Sequence, residues 1–306
     1  MTIEVFPDEI NVLEACGRLV DFNAWEQTKI DPEGWLSNFS LAERPFALIL
    51  LSRFTFLADH LVDQLFRSAF QNLSNVLFGE AWPDFEVVSE KWRSFCSRAL
   101  ITIVQGETPN PSDSGWLFAR KARQAIGIDQ DQLREPREIV ATLADGFSGP
   151  IVFVDDFVGS GEQFVKTWQR RYDLFGGGTA SFQALAERSP ASFFYCNAMT
   201  TEYGLKRISR LVPAVTVSAG NVIPHRYSLA DPESLLWPTA VRNEGIALVE
   251  AIGHRLGYDA DDGSEQDWRG FHKLGLALAF QHSVPDANLP LFFTDRKGWK
   301  PLVQRL

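Results

Sequence analysis

Hydrophobic residues recur at intervals of three and four positions over the first hundred residues, which is the spacing of one helix face. The pattern runs from Ile10 to about Cys96, with a break at Pro83. Its most apolar stretch, Pro45 to Leu61, is too short and too charged to cross a bilayer, so we expect a buried core helix there. No linker rich in Gly or Ser follows this section. The pattern therefore predicts a helical section over residues 1–98 that packs on the rest of the chain.

From residue 99 onward, short β-rich runs alternate with helical segments. The predicted strands are Leu100–Val104, Pro150–Val154, Phe193–Met199 and Ala214–Val217. The predicted helices are Trp116–Ile126, Pro136–Asp145, a helix with Phe164, Val165, Trp168 and Tyr172 on one face, a helix that carries Leu205–Leu211, and Thr239–Arg255. The segment 274–282 fits a strand or a short helix. Strands that alternate with helices require a parallel sheet with right-handed crossovers, so we predict an α/β domain over residues 99–306.

The composition is that of a soluble globular protein. Hydrophobic residues make up 45% of the 306 positions and charged residues 22%, which excludes global disorder. The net charge of −10 repels a polyanion, so broad nucleic-acid binding is disfavoured. The three cysteines have neither metal-ligand nor disulfide spacing, and the N-terminus lacks the basic start and apolar run of a secretory signal. We therefore expect a cytoplasmic protein without a membrane segment.

Histidines and tryptophans add little specific chemistry. The five histidines show no local metal spacing, so we predict neither a zinc site nor a nucleophile–base pair. Only His225 lies near a predicted strand end. The tryptophans are most simply core residues, and an aromatic residue near the tail is an alternative stacking partner for a base.

The central motif is a β-rich run that leads to Asp155 and Asp156, then Gly159-Ser160-Gly161, and then a helix that starts with Glu162 and Gln163. In a parallel α/β sheet, ligands bind outside the carboxyl ends of the strands, and the N–H groups at a helix start suit an anion. We predict a phosphate on the N–H groups of Gly159 to Gln163. Two acids do not themselves hold a phosphate, so they are predicted to face sugar hydroxyls or a divalent cation.

An alternative for the same motif needs no ligand. Ser160 and Gln163 have the spacing of a capping box, in which two side chains satisfy N–H groups at the start of an ordinary helix. Glu162 is then a first-turn acid that complements the helix dipole. The two acids would be solvated at the strand end.

A second candidate is the loop from Gly106 to Gly115, which follows the neighbouring predicted strand. Its last residues, Ser112, Asp113, Ser114 and Gly115, precede a helix and are candidates for binding pyrophosphate. The alternative is a surface loop in which Asp113 or Ser114 caps that helix. Cationic side chains follow at Arg120, Lys121 and Arg123. They are candidates for neutralising a pyrophosphate, but their default interpretation is a solvated basic face.

The central motif resembles the phosphoribosyl pyrophosphate loop of type I phosphoribosyltransferases. A closer resemblance is to a phosphoribosyltransferase-like family of bacterial conflict and defence loci, some of whose members are linked to retrons. It rests on three segments, namely Trp35–Phe39, Asp155–Gly161 and the tail from Asn288–Phe293 to Trp299 and Leu302. The resemblance implies a type I phosphoribosyltransferase fold, with Asp155 and Asp156 on the ribose and Gly159 to Gln163 on the 5-phosphate.

The same resemblance implies two possible functions. The first is an enzyme that binds phosphoribosyl pyrophosphate with Mg²⁺ and transfers the phosphoribosyl group, with release of pyrophosphate. The second is a non-catalytic sensor of a nucleotide or sugar phosphate that acts through a protein partner in a defence system. Two departures from the general motif favour the second. Gln163 replaces a small hydroxyl residue, and Glu162 adds a carboxylate beside the predicted phosphate.

Overall fold

The structure is a computed structural model that describes residues 5–78, 84–106 and 114–305. Helices and strands alternate through much of the chain. The helices are α1 (Glu9–Asp21), α2 (Pro32–Leu36), α3 (Arg44–Arg53), α4 (Asp59–Phe78), α5 (Phe85–Arg98), α6 (Ser114–Ile126), α7 (Pro136–Ala144), α8 (Glu162–Gln169), α9 (Phe182–Ala186), α10 (Glu202–Leu211) and α11 (Arg242–Arg255). The strands are β1 (Thr55–Leu57), β2 (Leu100–Ile103), β3 (Pro150–Val158), β4 (Tyr172–Asp173), β5 (Thr179–Ala180), β6 (Ser192–Thr201), β7 (Val215–Ile223) and β8 (Leu278–Phe280). Within the described ranges, no helix combines the length and the apolar character needed to cross a membrane.

The chain divides into two compact units. One consists of Met1–Val62 together with Pro224–Leu306, and the other is Asp63–Ile223. This division does not test the domain boundary predicted between residues 98 and 99, which stays a prediction.

The unit Asp63–Ile223 contains a parallel sheet in the order β2-β3-β6-β7. The central strands β3 and β6 are buried along nearly their whole length, as expected of strands covered on both faces. On one side of the sheet, Phe153, Phe164, Trp168 and Phe182 form part of an aromatic core. The predicted α/β fold with a parallel sheet is confirmed.

Two predicted boundaries in this unit were wrong. Strand β3 continues four residues past Val154, because Asp155 and Val158 still pair with β6, opposite Asn197 and Thr200. Tyr172 does not lie on the helix face behind the turn. Helix α8 ends at Gln169, and Tyr172 belongs to a two-stranded hairpin.

The other unit contains α1, α2, α3, α11 and a parallel pair of short strands, β1 and β8. The stretch from Pro45 to Leu61 is not one helix, because α3 ends at Arg53 and β1 follows at Thr55. The segment predicted as strand or helix near residue 278 is the strand β8. The core includes Trp35 and Trp299, whose indole N–H groups both donate to the carbonyl of Leu291 at 2.9 Å.

Candidate functional site

A tight turn joins the end of β3 to the start of α8. Gly161 is the N-cap residue of α8 and has a φ of 71°, a left-handed conformation that glycine adopts without strain. A Cβ atom at this position would lie 2.8 Å from Cγ1 of Ile208 on α10. Glycine is therefore required at position 161 both by the backbone and by the packing of α10.

Helix α10 holds the turn from the other side. The hydroxyl of Thr201, the N-cap of α10, accepts from the N–H of Gly204 at 2.9 Å and donates to the carbonyl of Gly159 at 2.5 Å. Gly204 lies so close to the turn that an added Cβ would be 2.4 Å from the same carbonyl. The turn is thus fixed by the first residues of α10 as well as by its own sequence.

The predicted capping box of Ser160 and Gln163 does not form. Helix α8 begins one residue later than that alternative required, with Gly161 as its N-cap and no side-chain bond to the cap. Ser160 instead accepts from the N–H of Glu162 at 3.2 Å, and Gln163 is exposed. Since the first N–H groups of a helix lack partners within the helix, the start of α8 retains donors suited to an anion.

Glu162 is paired with two cations. Its carboxylate lies 2.8 Å from the Nζ of Lys166, one helical turn along α8, and 3.6 Å from a guanidinium nitrogen of Arg207 on α10. The carboxylate therefore opposes an anion at the turn less strongly than an unpaired one would.

The two acids lie within β3 and are both buried, with 5% of Asp155 and 7% of Asp156 exposed. Each side chain accepts from the next backbone N–H: Asp155 from Asp156 at 3.0 Å, and Asp156 from Phe157 at 2.8 Å. Asp155 also accepts from the phenol of Tyr195 at 3.0 Å. The ring of Tyr195 stacks on Phe164 of α8, with centroids 4.2 Å apart. The acids are thus held by their own strand, and Asp155 also by β6.

Burial changes the acidity of this group. It raises the pKa of Asp155 well above the ordinary range of a carboxyl group, and the neighbouring charge of Asp156 raises it further. The pKa of Tyr195 is raised as well, first by burial and then by Asp155. Burial and the charge of Asp156 therefore both act against ionisation of Asp155.

The second candidate loop lies mostly outside the described residues, including Ser112 and Asp113. Helix α6 begins at Ser114, and a Cβ added to Gly115 would lie 2.8 Å from the Cβ of Ile103. Gly115 thus allows α6 to approach β2 closely, and its predicted part in pyrophosphate binding stays a prediction.

The basic residues of α6 differ in their surroundings. Lys121 forms an ion pair with Asp63, Arg123 donates to the side chain of Gln130, and Arg120 is exposed. The default of a solvated basic face is therefore too simple for Lys121, which is partly buried in its ion pair.

A polar network ties the end of α8 to the residues that follow β2. The guanidinium of Arg170 donates to the side chain of Gln105 at 3.2 Å and to the carbonyl of Gly106 at 2.8 Å. Tyr172 donates to the same Gln105 side chain at 3.0 Å, and Thr167 bonds to the Gln105 backbone. The start of α8 thus adjoins the turn, while Thr167 near its end and Arg170 just after it contact the start of the second candidate loop.

Few carboxylates near the central motif are available to bind a metal ion. Among the described residues, no group of three or more His, Cys, Asp or Glu side chains is placed to hold a metal ion. His225, the histidine predicted nearest a strand end, is exposed on a short helical turn directly after β7. The carboxylates of the central motif are Asp155, Asp156 and the ion-paired Glu162.

Sequence reasoning missed four residues that the structure places around the motif, namely Tyr195, Asn197, Thr201 and Gly204. All four lie on β6 or at the start of α10. Gly204 carried a usable signal, because a glycine within a helical pattern costs about 1 kcal/mol relative to alanine and so calls for a reason in the packing. Tyr195 and Asn197 carried none, since only the strand register brings them beside Asp155.

Comparison with known proteins shows a match to a protein family. A family model described as PRTase-CE matches residues 32–305. Neither the curated proteins nor the solved structures contain a significant match.

Proposed function

The chain belongs to the PRTase-CE family, a phosphoribosyltransferase-like family, and we propose that it binds phosphoribosyl pyrophosphate or a related ribose phosphate at residues 155–163. The observation that carries the proposal is the glycine turn at the start of α8, which α10 and its N-cap Thr201 hold in place. A turn fixed in this way presents backbone N–H groups with little loss of entropy on binding.

The residues have distinct proposed roles. The N–H groups of Gly159 to Gln163 bind the 5-phosphate, apart from that of Glu162, which donates to Ser160, and the dipole of α8 lies behind them. Asp155 and Asp156 bind the ribose hydroxyls. Ser160 supports the turn, since its hydroxyl already accepts from the N–H of Glu162.

Mg²⁺ fits this site only together with the ligand. The motif offers the carboxyl groups of Asp155 and Asp156, and Mg²⁺ commonly combines one or two carboxylates with substrate phosphates. A bound Mg²⁺ would stabilise the negative charge of a leaving pyrophosphate.

For an active enzyme, the reaction is glycosyl transfer with release of pyrophosphate. The alternative is a sensor that binds the same ligand without turnover and acts through a protein partner. The specific observation in its favour is the burial of Asp155 and its bond to Tyr195, which lend the acid a structural role. On the resemblance to families of bacterial defence loci, we propose a cytoplasmic role in antiphage defence of the retron type.

Calorimetric titration with phosphoribosyl pyrophosphate and Mg²⁺ tests the binding. We expect saturable heat with the wild type and none with an Asp155→Asn/Asp156→Asn double variant whose circular dichroism is unchanged. Absence of heat with the wild type, for this ligand and for common nucleotides, would contradict the proposal.

A second assay separates the two functions. Release of pyrophosphate on addition of a candidate base supports the enzyme. Saturable binding without release across a panel of bases supports the sensor.

A further inference from the structure

Asn197 is a buried amide without hydrogen-bond partners in the part of the chain that the structure describes. Its side chain is 0% exposed, and both Oδ1 and Nδ2 lack a partner. A buried polar group without a hydrogen-bond partner destabilises the folded protein. A side chain that can only destabilise the unliganded protein needs another explanation for its place in the core.

The position of Asn197 supplies that explanation. In the register of the sheet, Asn197 on β6 is the direct partner of Asp155 on β3. Paired residues on adjacent parallel strands point to the same face and lie about 4.8 Å apart. Two residues earlier on the same face, Tyr195 already bonds to Asp155. The amide is therefore the next polar group beside the carboxyl group proposed to hold the ribose.

We propose that Asn197 is a binding residue of this site and that its amide bonds to a hydroxyl of the sugar. This inference rests on the proposed function. An amide offers a donor and an acceptor, as does a hydroxyl, so one side chain matches either direction of the bond. The amide of Asn197 is not exposed to solvent. A ligand that reaches Asp155 must therefore displace the side chains that surround the amide, and the new hydrogen bonds offset the free energy of that displacement.

The chain offers a matched control in Thr102 on β2. Its hydroxyl is also fully buried and also lacks a partner among the described residues, but Thr102 pairs with Phe153 rather than with an acid. Asn197→Leu and Thr102→Val each remove an unsatisfied polar group while keeping the branched shape of the side chain. Both variants are expected to unfold at a temperature no lower than the wild type.

Titration with ribose 5-phosphate separates the two variants. We expect Thr102→Val to bind as the wild type does and Asn197→Leu to bind about tenfold more weakly or worse, since it lacks the hydrogen bonds. The smaller Asn197→Ala replaces Asn197→Leu if the larger side chain prevents folding.

The outcomes distinguish this inference from the proposed function. Equal affinity for the wild type and Asn197→Leu would overturn the role of Asn197 and leave the site intact. A loss of stability in Asn197→Leu with unchanged affinity would do the same and show a structural amide. No binding by the wild type, with phosphoribosyl pyrophosphate and Mg²⁺ and with common nucleotides as well as with ribose 5-phosphate, would overturn both.

Discussion

Substitution of Gly204 by Ala tests the contact between α10 and the turn. Within a helix, Gly→Ala ordinarily stabilises a protein by about 0.5–1 kcal/mol, because alanine loses less backbone entropy on folding. At Gly204 the added Cβ would lie 2.4 Å from the carbonyl oxygen of Gly159 and 3.1 Å from Cγ1 of Val158. An ordinary contact begins near 3.4 Å, so either α10 or the turn must move by 1.0 Å (3.4 − 2.4).

The free-energy cost of that movement depends on how firmly the carbonyl of Gly159 is held. The carbonyl of Gly159 is backbone and is also held by the hydroxyl of Thr201, so it cannot yield as a flexible side chain would. Overpacking of this kind costs about 1–3 kcal/mol and outweighs the helical gain. We expect Gly204→Ala to lower the free energy of unfolding and to weaken ribose 5-phosphate binding, because the displaced turn no longer presents its N–H groups to the phosphate.

Gly17 in α1 is the matched control for the same substitution. No atom lies within 4 Å of a Cβ added there, so Gly17→Ala should stabilise its unit by the ordinary helical amount. Urea denaturation followed by circular dichroism measures both variants against the wild type. If Gly204→Ala stabilises the protein as Gly17→Ala does, α10 does not pack closely on the turn, and this part of the account is contradicted.

Three further predictions concern the same unit. Because the pKa of Asp155 is raised, the folded protein keeps a proton that the unfolded chain loses above about pH 4. The free energy of unfolding should therefore fall as the pH rises from that value through the raised pKa. Asp155→Asn should flatten this part of the plot of unfolding free energy against pH, measured by urea denaturation. An unchanged plot would refute the raised pKa of Asp155. Thr201→Val should cost about 1–2 kcal/mol in the same assay, as the loss of an N-cap does, while Thr201→Ser should cost less; equal losses would argue against the hydroxyl bonds. Arg170→Met should speed hydrogen exchange at Gln105 and Gly106 while exchange in β6 stays unchanged, and equal rates in the variant and the wild type would show that the network does not anchor these residues.

The periodic parts of the fold were predictable from the sequence. The continuous apolar runs at 100–104 and 150–154 correspond to buried parallel strands, and Pro136 marks the first residue of α7 as expected. These signals are local, since each depends on residues a few positions apart.

The predictions that were wrong or missing depend on contacts between residues that are far apart in the sequence. Strand β3 continues through Asp155 and Asp156, which are poor strand formers, because pairing with β6 outweighs their propensity. The capping box failed because Gly161, packed against Ile208, is the N-cap in place of Ser160. The neighbours of Asp155 on β6 depend on a register between residues about forty positions apart, which no short pattern contains.

The central claim is that the turn after β3 binds the phosphate of a ribose phosphate whose hydroxyls contact Asp155 and Asp156. A crystal structure of the protein with ribose 5-phosphate tests it most directly. The account predicts phosphate oxygens about 2.7–3.2 Å from backbone nitrogens between Gly159 and Gln163, with the sugar towards the two acids. A ligand bound elsewhere, or a phosphate held by side chains away from this turn, would contradict it.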